Sequence, residues 1–178
     1  MGIMVRKATR AFTQRLAYTF VDSPVGRLML AGDESGLWLL SFAGEDRLVP
    51  LSDQWEASDD PFPEAKRQLE AYFNGELRRF SVPVHLVGTE FQRAVWDALQ
   101  TIPYGSTWSY AELARRVGRP AAVRAVGGAN HANPIAIIIP CHRVIGSDGK
   151  LTGYGGGLPT KGRLLALERG DVFYGFTS

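Results

Sequence analysis

The sequence predicts a mixed α/β chain of the α+β kind in two parts. Residues 1–87 read as a small N-terminal domain with an antiparallel β-sheet and a helix, and residues 88–178 as a mainly helical domain containing a helix-turn-helix. Three observations predict this. Short apolar runs broken by Gly- and Pro-bearing turns fill the first half. Capping boxes followed by apolar residues at helical spacing fill the second. The charge divides at the same place: 10 Lys/Arg stand against 12 Asp/Glu over 1–87, and 10 against 6 over 88–178, so a net charge of +2 conceals an acidic half and a basic one.

In the first half, residues 17–21, 27–31 and 37–42 read as strands, separated by turns at Ser23–Gly26 and Gly32–Gly36. Asp59-Asp60-Pro61 opens a helix over 63–73, which Asn74-Gly75 ends. Residues 80–86 read as a further extended piece leading to a boundary at Val87-Gly88. No acids, bases or ligand types cluster here, so this half reads as scaffold, and His85 as a satisfied structural histidine.

The second half opens on Thr89-x-x-Gln92, a capping box, and its helix carries Phe91, Ala94, Val95, Ala98 and Leu99 on one face, with Trp96 directed elsewhere, toward the N-terminal half. A turn at Ile102-Pro103-Tyr104-Gly105 follows. Ser109-x-x-Glu112 reads as a second capping box, starting a short helix whose Tyr110, Leu113, Ala114 and Val117 share a face. Gly118-Arg119-Pro120 stops it, and Pro120 reads as the first residue of the next helix, over 120–130. Two short helices joined by a Gly-containing turn are a helix-turn-helix candidate, and equally a structural hairpin. The second helix is nearly all small residues around Arg124. At about 100° per residue, Arg124 lies roughly 200° from both Ala122 and Val126, away from the packed face. Gly127-Gly128 costs about 2 kcal/mol of helix propensity relative to Ala. That composition suits tight helix packing, or a groove-binding helix carrying an inserting arginine.

The chemistry concentrates in Pro134–Arg143. An apolar run, Ile135 to Ile139, reads as a buried strand that ends at Pro140 and the chain's single cysteine, Cys141, with His142 and Arg143 following. A free cysteine is often only a small buried hydrophobe. Adjacent His and Arg residues supply a positive field that lowers a thiol pKa and makes a nucleophile. Extended residues 141 and 142 would point to opposite faces, so cooperation requires a bend at Pro140-Cys141 or a bridging water. Beyond a turn at Gly146–Gly149, Tyr154 sits in the glycine-rich loop 153–157, which lacks phosphate-loop spacing but suits a pocket wall over a flat ligand. A last helix starts near Pro159, carries Leu164, Leu165, Leu167 and Glu168, and ends at Gly170. Local sequence leaves Glu168 open between a solvated carboxylate and a site residue.

Composition bounds the class. A chain of 178 residues with 45% hydrophobic and 21% charged residues builds a sizeable core. No apolar run approaches ~20 residues, so no membrane span is expected. Residues 1–10 are basic without an apolar segment behind them, which argues against secretion. One cysteine excludes an internal disulfide and a cysteine-based zinc site, and fits the cytoplasm.

Pro140-Cys141-His142-Arg143-Val144-Ile145 resembles the active-site motif of the O6-alkylguanine-DNA alkyltransferases, the methylated-DNA–protein-cysteine methyltransferases. The resemblance extends in order through Phe91-Gln92 to Trp96, Ile102–Gly105, Ser109-Tyr110, Arg124–Gly127, Asn133-Pro134, Gly153-Tyr154 and Leu164–Glu168. The first half is similar, more weakly, to the family's variable β-rich domain.

The resemblance implies a winged-helix-like second domain and DNA repair by direct reversal. The alkyl group of O6-alkylguanine, and of O4-alkylthymine, passes irreversibly to Cys141 in a single turnover, with no cofactor. It implies double-stranded DNA bound through the minor groove, the damaged base flipped out, and a monomeric free protein. By that similarity Arg124 fills the vacated stack, with Ala125 and Gly127 on the DNA-binding helix. Tyr110 crowds the phosphate and donates to the leaving guanine. His142 takes the thiol proton through water, Glu168 orients His142, Asn133 holds the turn before the cysteine, and Val144, Tyr154 and Gly155 line the base pocket. Some relatives hold a structural zinc through N-terminal cysteines; this chain has none there, so no metal is expected. The rival readings are a lesion-binding module without chemistry, which would lack the acceptor cysteine, and a cysteine hydrolase, which needs an oxyanion hole and leaves the helix-turn-helix unexplained.

Overall fold

The computed structural model describes residues 14–43 and 52–171. The basic N-terminal segment, residues 1–10, lies outside the described residues. The chain divides into two compact units, residues 1–87 and 88–178.

In the first unit, β1 (Ala17–Val21), β2 (Leu28–Asp33) and β3 (Gly36–Phe42) form the meander. β1 pairs antiparallel with β2 and β2 with β3, and a two-residue β4 (Glu56–Ala57) adds in parallel to β1, giving the order β3-β2-β1-β4. A parallel pair this short, recruited from a distant segment, leaves no pattern in the sequence. Leu28, Met29, Leu30 and Ala31 are consecutively buried, so β2 is covered on both faces. One face packs Leu16, Met29, Ala31, Leu39 and Trp55 together. Helix α1 (Pro63–Phe73) starts with proline in its first turn and buries Ala65, Gln68, Leu69 and Tyr72.

Residues 80–86 do not form the expected strand. Pro83 has no N–H to donate, and the segment makes one bridge, Val84 to Leu37: Leu37 N donates to the Pro83 carbonyl at 2.9 Å, and His85 N to the Leu37 carbonyl at 2.7 Å. His85 stacks on Trp38 with ring centroids 4.4 Å apart, its Nε2 2.9 Å from Ser35 Oγ, as a satisfied structural histidine.

The second unit carries α2 (Glu90–Leu99), β5 (Trp108–Ser109), α3 (Tyr110–Arg116), α4 (Val123–His131), β6 (Val144–Ile145) and α5 (Leu158–Arg169). Both bonds of the Thr89/Gln92 capping box are present. The buried face of α2 is Val95, Trp96 and Leu99, while Ala94 is exposed. Trp96 therefore lies on the core face of this helix and is not directed away from it as expected, donating from its indole nitrogen to the Ala129 carbonyl at 2.9 Å. An indole buries more apolar surface than a methyl group, and its N–H finds a carbonyl there, so it displaces Ala94 from the core face.

Ser109 Oγ caps α3 by accepting from Glu112 N, but the carboxylate of Glu112 lies 3.6 Å from Arg116, so the second capping box is only half made. Helix α4 begins three residues later than expected, because Ala122 N donates to the Arg119 carbonyl and puts Pro120 in a turn. Helices α2 and α3 both pack on α4, and β5 pairs in parallel with β6.

Candidate active site around Cys141

The apolar run before the cysteine is buried as expected except at Ile138, which is half-buried, yet it is not a strand. Ile138 N donates to the Ala136 carbonyl at 2.8 Å and Ile139 N to the Ile135 carbonyl at 3.0 Å, so the run folds into tight turns. Asn133 clasps them: its Oδ1 accepts from Ile135 N at 3.0 Å and its Nδ2 donates to the Ile139 carbonyl at 2.8 Å. Prolines at 134 and 140 remove the N–H groups a ladder would use. The bend the cysteine required is a 3-10 turn, Cys141–Arg143, which leads into β6.

That turn directs the side chains of His142 and Arg143 onto Glu168, which the last turn of α5 supplies. His142 Nε2 lies 2.7 Å from Glu168 Oε1. Arg143 grips the same carboxylate with two nitrogens, Nε to Oε2 at 2.8 Å and Nη2 to Oε1 at 3.0 Å, and its Nη1 donates to the Ile102 carbonyl at 2.6 Å. Gly105 N adds a bond to Glu168 Oε2 at 3.2 Å. Gly105 holds φ +77°, and a Cβ there would lie 2.9 Å from the Glu168 carbonyl oxygen, so the turn at 102–105 requires glycine to reach this carboxylate. Glu168 is thus a buried anion. Burial pushes its carboxyl up, but the hydrogen bonds and charges of His142 and Arg143 overcome that and carry its pKa down to about 2. Burial holds His142 below the ordinary histidine range, against the pull of Glu168, so the ring is neutral near pH 7. Its Nε2–H then donates to Glu168, and the buried Nδ1 has no protein partner.

Cys141 differs from the sequence expectation in one respect. Burial dominates and pushes its thiol up, and neither His142 nor Arg143 supplies the opposing positive field, because both are committed to Glu168. The opposing influences are a hydrogen bond from Asn133, the charge of Lys161, and the backbone of Cys141 and His142. Lys161 was not singled out by the sequence reading. It is fully buried on α5, and its Nζ donates to the Val144 carbonyl at 2.5 Å and the Thr152 carbonyl at 2.8 Å. Burial lowers its pKa to about 8, against the Coulombic pull of Cys141. One signal would have found it: Lys161 falls on the same helical face as Leu164, Leu165 and Glu168, where a lysine is out of place.

The remaining expected residues fall around this centre. Tyr110, half-buried at the start of α3, lies with its ring 6.0 Å from Lys161 Nζ. Tyr154 is buried, its ring centroid 6.4 Å from that of His142 at 76°, and Gly155 beside it is exposed. Val144 is fully buried and holds Lys161 through its carbonyl. Arg124 and Ala125 are exposed on α4, whereas Gly127 turns inward, a Cβ there lying 3.7 Å from the Tyr110 ring. Arg116 is engaged, over the Trp108 ring at 4.7 Å and beside Glu112. Among the described residues no three His, Cys, Asp or Glu side chains gather as metal ligands, and no helix is long and apolar enough to cross a membrane.

Comparison with known proteins identifies the family. Residues 90–170 match the family model described as 6-O-methylguanine DNA methyltransferase, DNA binding domain, and residues 16–86 the one described as its ribonuclease-like domain. A methylated-DNA–protein-cysteine methyltransferase of Methanosarcina acetivorans is 54% identical over 151 residues, covering 85% of this chain and 97% of that protein. The crystal structure of Mycobacterium tuberculosis O6-methylguanine methyltransferase superposes with a TM-score of 0.82 at 52% identity, covering 89% of this chain and 96% of that one. The structure of M. tuberculosis OGT in complex with DNA gives a TM-score of 0.81 at 52% identity, covering 87% and 94%. With both halves of the chain matched, it belongs to the methylated-DNA–protein-cysteine methyltransferase family.

Proposed function

We propose that the chain repairs DNA by direct reversal, moving the alkyl group of O6-alkylguanine, and of O4-alkylthymine, irreversibly onto Cys141. The observation that carries this is the chain's single thiol, buried beside a neutral histidine whose far nitrogen is fixed on a buried carboxylate. Glu168 accepts a hydrogen bond from Nε2–H, leaving the Nδ1 lone pair to take the thiol proton through water. The sulfur then attacks the alkyl carbon, the carbon–O6 bond breaks, and the electron pair passes into the purine. The one proton held by His142 is returned to the departing base, while Tyr110 donates only a hydrogen bond to a ring nitrogen, so the products are neutral guanine and a thioether. Lys161, Asn133 and the Cys141 and His142 backbone favour the transient thiolate. The thioether is inert, so each molecule acts once, with no cofactor.

Residues 88–178 would carry both recognition and chemistry, and residues 1–87 serve as scaffold. α4 offers the exposed Arg124 and Ala125 to the minor groove, Arg124 filling the stack from which the lesion is flipped, with Gly127 supporting Tyr110 from behind. Val144, Tyr154 and Gly155 surround the flipped base. The protein acts as a monomer in the reducing cytoplasm.

The test is intact mass after incubation with a duplex bearing one O6-methylguanine. A gain of one methylene, ~14 Da, on the peptide containing Cys141 and absent in Cys141→Ala is expected for thioether formation. Tight binding to the lesion with no mass change would overturn the transfer reading and leave a lesion-binding module.

A further inference from the structure

Ile137 is the only non-glycine among the described residues with a positive φ, 71°. The Ile138 N–H to Ala136 carbonyl bond, 2.8 Å, closes a three-residue turn around it, of the rarer hand that crowds an L side chain against its own backbone. Glycine is the residue such a turn ordinarily selects, and a β-branched residue is the least suited to it. Ile137 is nevertheless 1% exposed, its side chain fully packed.

The surroundings over-determine this conformation. Ile139 N closes a wider turn onto the Ile135 carbonyl, and Asn133 bonds the backbone on both sides. A second three-residue turn of the opposite hand follows at once: Pro140 has φ −80° and ψ 62°, and Cys141 N donates to the Ile139 carbonyl at 2.7 Å. The proline ring presets that second turn. The chain therefore reaches Cys141 through two tight turns, one fixed by a ring and one held against its own preference by a buried side chain. A glycine at 137 would adopt φ 71° without strain, but it would also visit the mirror conformation and leave the direction of the following residues open.

We infer that Ile137 is a positioning residue for the acceptor sulfur: its buried side chain holds the strained turn that fixes where Cys141 enters the site. Strain retained in so confined a place is a feature of sites whose geometry matters, and a displacement of about 1 Å costs roughly a hundredfold in rate. The inference rests on Cys141 being the alkyl acceptor.

Three variants separate anchor from strain. Ile137→Ala removes the anchor and keeps the strain, Ile137→Gly removes both, and Ile137→Val keeps most of the anchor. The Gly variant is expected to melt above the Ala variant, the reverse of the usual order at a buried site. In both, single-turnover methyl transfer from duplex O6-methylguanine at saturating protein should fall by about tenfold or more, while the half-saturating concentration moves less than about threefold. A merely structural loss would lower the melting temperature without that split. Transfer at the wild-type rate by Ile137→Ala, or a melting order of Ala above Gly, overturns the inference. Should neither variant fold, Ile137→Val decides: a slowing of about two- to fivefold with unmoved half-saturation supports the inference, and a wild-type rate overturns it. Wild-type protein that leaves the methyl on the DNA sinks the acceptor reading, a result distinguishable from equal rates in wild type and variant.

Discussion

Arg143 and Glu168 form a two-pronged, buried ion pair, Nε to Oε2 at 2.8 Å and Nη2 to Oε1 at 3.0 Å, and it is this pair that aims the carboxylate at His142. The arginine two residues after the nucleophile therefore acts on the far end of the relay and not on the sulfur. Planar guanidinium and planar carboxylate match edge to edge, a fit that an ammonium lacks.

Removing one member of that pair leaves the other charged and buried. Arg143→Leu is expected to cost about 3–5 kcal/mol in urea denaturation, and Arg143→Leu with Glu168→Leu together to cost less than Arg143→Leu alone. Equal stability of wild type and the single variant would show the pair to be idle. The pH dependence has a defined sign. Glu168 has a folded pKa of about 2 against 4.5 unfolded, so its stabilisation is full above about 4.5 and is lost as pH falls toward 2. Glu168→Gln should flatten the acid limb of stability in that window.

Lys161 places a titrating charge beside the thiol. Its folded pKa of about 8 lies below the 10.5 of a free lysine, so the protein carries a buried cation at neutral pH and is relieved of it as pH rises from 8 to 10.5. Stability from this group rises across that range while the charge favouring the thiolate disappears. The transfer rate should accordingly bend downward above pH 8, and Lys161→Met should remove the bend and lower the neutral-pH rate by about ten- to a hundredfold. A Lys161→Met profile matching wild type in height and shape would remove Lys161 from the chemistry.

His142 gives the opposite limb. A proton acceptor works in its neutral form, and burial holds this ring below the ordinary 6.5. Transfer should therefore persist through pH 6.5 and fail only in more acid solution. An acid limb centred above pH 6.5 in single-turnover kinetics would contradict the buried, neutral ring.

How much of this was legible in the sequence depends on whether the signal is local. The meander, α1 and the Thr89/Gln92 capping box were readable because turn residues and caps act within four positions of themselves. Ile135–Ile139 was readable as buried but not in conformation, since hydrophobicity reports that a segment leaves water and says nothing of the sign of φ at Ile137. The partner of Arg143 was hidden for a similar reason. Cys141, His142 and Arg143 are adjacent, but a 3-10 turn decides which way each side chain leaves, and Glu168 is 25 residues away from the arginine it holds. Trp96 was misplaced because helical spacing put Ala94 on the core face and Trp96 off it, whereas an indole outcompetes a methyl group for the core.

Arg124 provides the sharpest test of the proposed base flipping. Its side chain is exposed on α4, so Arg124→Ala should leave the melting temperature within about a degree of wild type, as surface substitutions do. If the guanidinium fills the space left by the flipped base, its loss removes stabilisation of an extrahelical state that costs a few kcal/mol to reach, and transfer from a fully paired duplex should fall by about ten- to a hundredfold. The deficit should shrink when the lesion lies opposite a mismatch, because that base is already partly unpaired, and vanish for free O6-methylguanine base. Arg116, already over Trp108 and beside Glu112, serves as the control: Arg116→Ala should weaken DNA affinity at most slightly and show no dependence on mismatch. A uniform loss for Arg124→Ala across paired, mismatched and free-base substrates would mean that Arg124 contributes only general attraction to phosphate, with a reduced salt slope as its trace.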